Sequence, residues 1–272
     1  MFKLFRREKT AKPQLFLALD IGTEFVKALV CEAQGRTALV RGVGKKRQKL
    51  GDMQSGAVMD IGSVIQNSRE AIEQATKQAD GFPSEVIMGI AGELVKGMTT
   101  RSAYVRKEPD SKIDLSELKN IIHKVQWKSF EETRSQLAYE TGYNEIDVKL
   151  VNAAIVDVRI DGYRVTNPIG FQGKEVQISL FNAFAPLVHF GALQTIAAEL
   201  ELNLLAITAE PYAVARCLES EETSQLSAIF IDIGGGTTDI AVVRNGALEG
   251  TKMFTIGGRT FSKRLASTLN IS

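Results

Sequence analysis

Residues 228–243 read AIFIDIGGGTTDIAVV, and the fold of the chain turns on them. An apolar run of Ile229, Phe230 and Ile231 ends in a carboxylate, Asp232. Gly234, Gly235 and Gly236 follow, then Thr237, Thr238 and a second apolar run over 240–243. Short apolar runs bounded by glycine predict strands buried on both faces. Two of them joined by a few Gly and Thr residues predict a hairpin. Glycine has no Cβ, so a ligand can come close to the turn's peptide amides, and successive N–H groups form a nest for an anion. Asp232 stands at the strand end beside that nest, placed to receive a hydrated cation. The competing reading is a glycine-rich hairpin with a structural role alone.

The pattern occurs twice. Residues 15–30 read LFLALDIGTEFVKALV, again strand, Asp-Ile-Gly, Thr and strand. Aligning Asp20 with Asp232 places Gly22 on Gly234. A duplication of this kind has to be recognised before a fold is assigned. Two facing hairpins can close on one polyphosphate, each contributing amides and a carboxylate, which predicts a cleft between two similar domains.

Composition sets outer limits. The 272 residues are 44% hydrophobic and 24% charged, with a net charge of +1. That length suits one large or two modest domains, and the near-zero charge gives no whole-molecule argument for nucleic acid. Cys31 and Cys217 stand in no metal or redox spacing and are expected as buried free thiols in a reducing compartment. No apolar run reaches the roughly 18 residues of a spanning helix. The N-terminal stretch carries Lys3, Arg6, Arg7, Lys9 and Lys12 without the apolar region of a secretory signal, which predicts a basic tail on a cytoplasmic chain. A P-loop would need GxxxxGK[ST], which does not occur; a Rossmann motif needs a GxGxxG that opens a helix, whereas Gly234 and Gly236 lead into a strand.

Between the hairpins, residues 38–49 end in Lys45, Lys46, Arg47 and Lys49 and read as a solvated loop. Asp60 predicts the cap of a helix running to about residue 79, stopped by Gly81, Phe82 and Pro83. Residues 84–186 read as a separate unit: a strand over 86–91, a helix behind the capping pair Asp114 and Glu117, and strands over 148–158 and 176–184. Asn167-Pro168 and Gly170 make a turn before the last strand. The polar stretch 128–144 fits none of these elements, and nothing in the unit looks catalytic. An α/β rhythm then resumes with a helix over 187–200 and a strand over 204–209. Glu210-Pro211 opens the next helix. That carboxylate either caps the helix dipole or orients a water towards a terminal phosphate. His123 and His189 read as surface or packing residues. Beyond the glycine hairpin come a strand over 252–256 and a helix opened by Gly257-Gly258 and bearing Phe261, Leu265 and Leu269.

The two Asp-Ile-Gly motifs together with Glu210-Pro211 resemble the phosphate-one, phosphate-two and connect-one signatures of the actin, DnaK-type chaperone and sugar-kinase superfamily. The order of the inserted unit, Asn167-Pro-Ile-Gly170 before its last strand, the run from Ile231 to Asp239 and Ile256-Gly-Gly258 resemble the FtsA family of bacterial cell-division proteins. The resemblance spans about residue 15 to the end. It implies an actin-like (ribonuclease H-like) α/β fold: a basic tail over 1–13, a first domain over 14–83 and 187–225, an inserted module over 84–186 and the start of a second domain over 226–272. In that family the chain continues, so a truncated second domain with an unprotected strand edge is expected.

The resemblance also implies a mechanism and partners. Gly22, Thr23 and Glu24 would hold one side of the phosphates of ATP or ADP, and Gly234, Gly235, Gly236, Thr237 and Thr238 the other. Asp20 and Asp232 would hold Mg²⁺ largely through water, and Glu210 would polarise the attacking water. At most, the activity would be a slow ATPase. Expected partners are a tubulin-like FtsZ protein, other division proteins, further copies of the chain in filaments and the membrane surface, with no nucleic acid. The alternatives are a PilM-like pilus-assembly ATPase and a scaffold of the same fold with a dead nucleotide site.

Overall fold

The computed structural model describes residues 14–35, 37–79, 81–142, 146–217 and 227–271. The basic tail lies outside them, as do Leu218 and the rest of the segment up to residue 226. The chain opens as a meander: β1 (Leu15–Ile21), β2 (Phe25–Gln34) and β3 (Thr37–Arg47) pair antiparallel. The stretch read as a solvated basic loop is therefore β3. It strands because Gly42 and Gly44 lie directly under the next helix, where a Cβ would come within 2.0 Å of the Ala75 carbonyl oxygen and 1.8 Å of that of Ala71. Its cations are engaged: Lys46 reaches Glu70 at 2.5 Å and Lys45 sits over the Phe25 ring.

A small ribbon of β4 (Met53–Gln54) and β5 (Ala57–Val58) leads into α1 (Ile61–Thr76). Asp60 caps that helix, its Oδ1 accepting from the Ser63 N–H at 3.0 Å. β6 (Glu85–Ile90) then pairs parallel with β1. The strand read with the inserted unit thus belongs to the first sheet, and the unit's own first strand is β7 (Lys96–Val105).

The polar stretch without a place is the second half of one long helix, α2 (Leu115–Thr141), closed by Gly142 in the left-handed region at φ 73°. The residues beyond Gly142 as far as 145 are not described. Asp114 caps α2 as predicted, accepting from the Glu117 N–H at 2.7 Å. The Glu117 carboxylate does not close a capping box; it grips the buried Arg106, which also donates to the Pro109, Ser111 and Gly173 carbonyls. β8 (Val148–Ile160), the short β9 (Tyr163–Arg164) and β10 (Glu175–Pro186) complete the unit. The turn between β9 and β10 is an Asx turn, the Ile169 N–H donating to Asn167 Oδ1, with Gly170 at φ 89°.

β10 joins two cores. One face of its first half packs Val176, Ile178 and Leu180 against α2; farther on, Phe181, Ala183 and Ala185 enter the main core. α3 (Leu187–Glu199) returns the chain to β11 (Asn203–Ala209), which pairs parallel with β6. The first sheet is then five-stranded in the order β11-β6-β1-β2-β3. At the end of β11 the chain turns straight into α4 (Glu210–Cys217). β12 (Ala228–Ile233), β13 (Thr238–Arg244), β14 (Ala247–Phe254) and α5 (Gly258–Leu269) end the chain. These strands continue the sheet of the inserted unit, in the order β12-β13-β14-β7-β10-β8-β9, through a short β14–β7 joint at Gly250–Met98 and Thr251–Gly97. β12 lies at the sheet's outer edge with Ile229, Ile231 and Ile233 exposed, and α5 buries none of its residues. Cys31 is buried as expected, whereas Cys217 is exposed; both are free thiols.

Candidate functional site

Each glycine motif folds as a four-residue turn closed in the same way. The Gly22 N–H donates to the Phe25 carbonyl at 3.1 Å, and the Gly234 N–H to that of Thr237 at 2.9 Å. The turns face each other closely: a Cβ at Gly235 would lie 2.6 Å from the Glu24 Cβ, and one at Gly236 2.7 Å from Thr23 Oγ1. Glycine is required there by the approach of the other hairpin. Beside the contact is a cleft of about 280 Å³ lined by both turns, Asp20, Lys27, Glu210, Asp232 and Asp239. Gly236 packs under Thr23, and the Thr238 hydroxyl donates to the Ile256 carbonyl at 2.6 Å; neither lines the cleft. The other residues named above for phosphate and cation binding all do.

A buried polar network supports the first turn from below. Gln48 donates to the Gly22 carbonyl and its own N–H to that of Glu24, while Asn67 donates to both Gln48 Oε1 and Asp52. Glu24 itself is held from two sides, by Arg47 at 2.8 Å and Arg259 at 2.5 Å. Burial works to raise the Glu24 pKa, but these hydrogen bonds and charges bring it below the ordinary value.

Strand register sets the electrostatics. Opposite Asp20 on β2 stands Lys27, whose ammonium reaches the carboxylate at 2.8 Å. The corresponding position opposite Asp232 on β13 is Asp239, a second carboxylate. Like charges directly opposed on a ladder destabilise. Burial first, then the charges of Asp232 and Asp20, push Asp239 up to about 7. Glu210, the first residue of α4, rises well above the ordinary range for the same reasons: burial, then Asp20, Asp239 and Asp232. Its carboxyl lies over Gly89 of β6, where a Cβ would be 2.9 Å from Oε1. Among the described lining residues Lys27 is the one cation. Burial lowers its affinity for the proton, but Asp20, Glu210 and Asp232 together raise its pKa.

The donor set fits a hydrated divalent cation with a polyphosphate. Asp20 Oδ1 and Asp239 Oδ1 are buried without a hydrogen-bond partner among the described residues, and such oxygens are costly unless something satisfies them. Of the five acidic side chains lining the cleft, Glu24 is matched by Arg47 and Arg259; the other four face one ammonium beside two nests of amides. Among the described residues no three acid, imidazole or thiol side chains converge closely enough to hold an ion directly. Asp239 was not among the site residues read from sequence; counting the hairpin register back from the turn would have placed it opposite Asp232. A larger hollow of about 560 Å³ lies far from this chemistry, on the open face of the second sheet. Its arginines are paired: Arg159 and Arg164 with Asp157, Arg101 and Arg244 with Glu249.

Comparison with known proteins narrows the identity. No protein-family model matches the chain. The cell division protein FtsA of Neisseria meningitidis serogroup B is 28% identical over 92% of this chain and 57% of its own length. FtsA of Bacillus subtilis is 26% identical over 95% of the chain and 56% of that protein, and FtsA of Escherichia coli K12 is 26% identical over 95% and 58%. The chain thus spans little more than half the length of these relatives. Among solved structures, a PilM-PilN type IV pilus biogenesis complex superposes with a TM-score of 0.65 at 17% identity, over 94% of this chain and 66% of that one. The ethanolamine utilization protein EutJ from Carboxydothermus hydrogenoformans gives 0.50 at 17%, over 96% of this chain and 59% of that one. The five-stranded sheet order, the paired glycine turns and the FtsA likeness along nearly all of the chain agree: the protein is FtsA-like in sequence and has the actin-like ATPase fold.

Proposed function

We propose that this chain is the nucleotide-binding part of an FtsA-like division protein, taking Mg²⁺ with ATP or ADP between its two glycine turns. The observation that carries the reading is the facing pair of turns around buried, unpartnered carboxylate oxygens. In this reading the amides of Thr23 and Glu24 hold one side of the phosphates and those of Gly235 and Thr237 the other; the Gly22 and Gly234 N–H groups are engaged in closing the turns, Gly236 packs under Thr23, and Thr238 steadies the second turn. Asp20, Asp232 and Asp239 hold the hydrated cation, which when bound offsets the charge of the phosphates. Lys27 neutralises Asp20 from the protein side. Glu210 orients water towards the terminal phosphate. A base must be ionised, so Glu210 can accept a proton from that water only when positive charge in the cleft offsets its burial and its three carboxylate neighbours. Hydrolysis on these terms is slow, and the nucleotide serves mainly to set conformation. Through its inserted module and further copies of itself, the protein would link a tubulin-like FtsZ partner to the inner face of the cell membrane.

Titration calorimetry of Mg·ATP against wild type and Asp232→Asn tests the site. The expected result is binding weakened about 100-fold, roughly 2.7 kcal/mol, with the fold intact by circular dichroism. Equal affinities would remove Asp232 from the site. If Mg·ATP neither binds nor raises the thermal midpoint of wild type, the scaffold reading replaces this one, because a ligand specific for the folded state must stabilise it. The PilM superposition supports a second reading, a pilus-assembly protein. Preference for an FtsZ tail peptide over a PilN peptide separates the two.

A further inference from the structure

We infer that Arg259 is a positioning residue: by gripping Glu24 across the cleft, it sets the separation of the two glycine turns and so the rate at which nucleotide leaves. This rests on the nucleotide reading for its consequence, not for the grip itself. Arg259 is the second residue of α5, and the start of that helix is fastened to the second turn. The Gly258 N–H donates to the Gly234 carbonyl and the Arg259 N–H to that of Gly235, both at 2.9 Å. Gly257 lies so close that a Cβ would stand 2.7 Å from the Gly234 carbonyl oxygen. From this base the Arg259 guanidinium reaches back 235 residues in sequence to Glu24 Oε2 at 2.5 Å.

Both side chains are largely withdrawn from water, 16% exposed for Arg259 and 22% for Glu24. Arg47, at 73%, is the solvent-facing second hand on the same carboxylate. Charge-assisted hydrogen bonds are the stronger kind, and removing Arg259 leaves the withdrawn Glu24 carboxylate only the solvent-facing Arg47 as its ionic partner. No residue of α5 is buried, and among the described residues the Arg259–Glu24 pair is the ion pair that ties the helix to the first hairpin. Opening the cleft by moving the second hairpin away from the first must break the bond between Arg259 and Glu24. Glu24 also carries one of the amides assigned to the phosphate, so the grip fixes that amide as well as the gap.

The test has two arms on the same chain. For the gap, spin labels at Leu50→Cys and Ser262→Cys, in a Cys217→Ser background, report the distance across the cleft without nucleotide. A single narrow distribution is expected with Arg259 present, a broader or longer one in Arg259→Ala, and recovery in Arg259→Lys. For the consequence, dissociation of a fluorescent ATP analogue with Mg²⁺ should speed up about tenfold in Arg259→Ala and in Glu24→Gln, with no further gain in the double variant. Distances unchanged by Arg259→Ala would overturn the grip. A widened gap in a chain that binds no analogue would keep the grip and sink the nucleotide reading. A widened gap with unaltered dissociation would overturn the claim about nucleotide release.

Discussion

The two glycine hairpins carry one motif in two settings. β1 lies inside a five-stranded sheet, and Leu17 and Leu19 are almost wholly buried. β12 is an edge, and its counterparts Ile229 and Ile231 are 65% and 59% exposed. The facing partners differ too: Asp20 meets Lys27, Asp232 meets Asp239. The same turn is thus internally neutralised in one copy and left with excess negative charge in the other. What the duplication conserves is the shape that holds an anion. What it varies is whether the protein or its ligand supplies the balancing cation.

The largest contrast to break is burial. Leu17→Ala should cost about 2–5 kcal/mol in urea unfolding, the usual range for a closed core site. Ile229→Ala at the equivalent position should change stability by about 0.5 kcal/mol or less. Equal losses would mean that β12 is covered in solution. The charge contrast comes next. Asp239 ionises at about 7 in the folded chain against 3.8 when unexposed to that environment. The folded state therefore binds the extra proton across that interval, and stability falls as pH rises from about 4 to about 7. Asp239→Asn should remove a drop of up to about 4 kcal/mol, at about 1.4 kcal/mol per unit. Urea midpoints at pH 4.5 and 7.5 would show it, and a slope unchanged by the substitution would contradict the assignment. Smallest is the ion pair of the first copy. Lys27→Gln should cost less than about 1 kcal/mol, since the pair is partly solvated, yet enlarge the rise in thermal midpoint produced by Mg²⁺. No enlargement would mean that Lys27 does not share the cation's task.

Both hairpins, Glu210 at a helix start and the caps Asp60 and Asp114 were legible because their signals are local: apolar runs, glycines and caps at fixed offsets. What escaped had its burial supplied by partners far along the chain. The second half of α2 buries Ser129, Thr133 and Leu137, so its inner face continues from Val125 without an apolar stripe. β3 needs no apolar side chains beneath α1 because the helix backbone sits on Gly42 and Gly44. The alternation of these glycines against Ala71 and Ala75 was the available clue. β7 reads as polar over Thr99, Thr100, Arg101 and Ser102, and becomes a strand because β10 and β14 flank it. Arg259 and Glu24 are 235 residues apart, and nothing in either neighbourhood announces the other.

The shared strand β7 has a mechanical corollary. One flank is bonded along its length to β10, whose far end is rooted among Phe181, Ala183 and Ala185 in the main core. The other meets β14 over two residue pairs, reinforced by the Thr99 hydroxyl on the Leu248 carbonyl. At the crossing sits Gly97, where any side chain would strike Thr251 and Phe181. Swinging the second hairpin thus either drags the inserted strands along or shears this narrow weld, which makes the joint a brake on hinge travel.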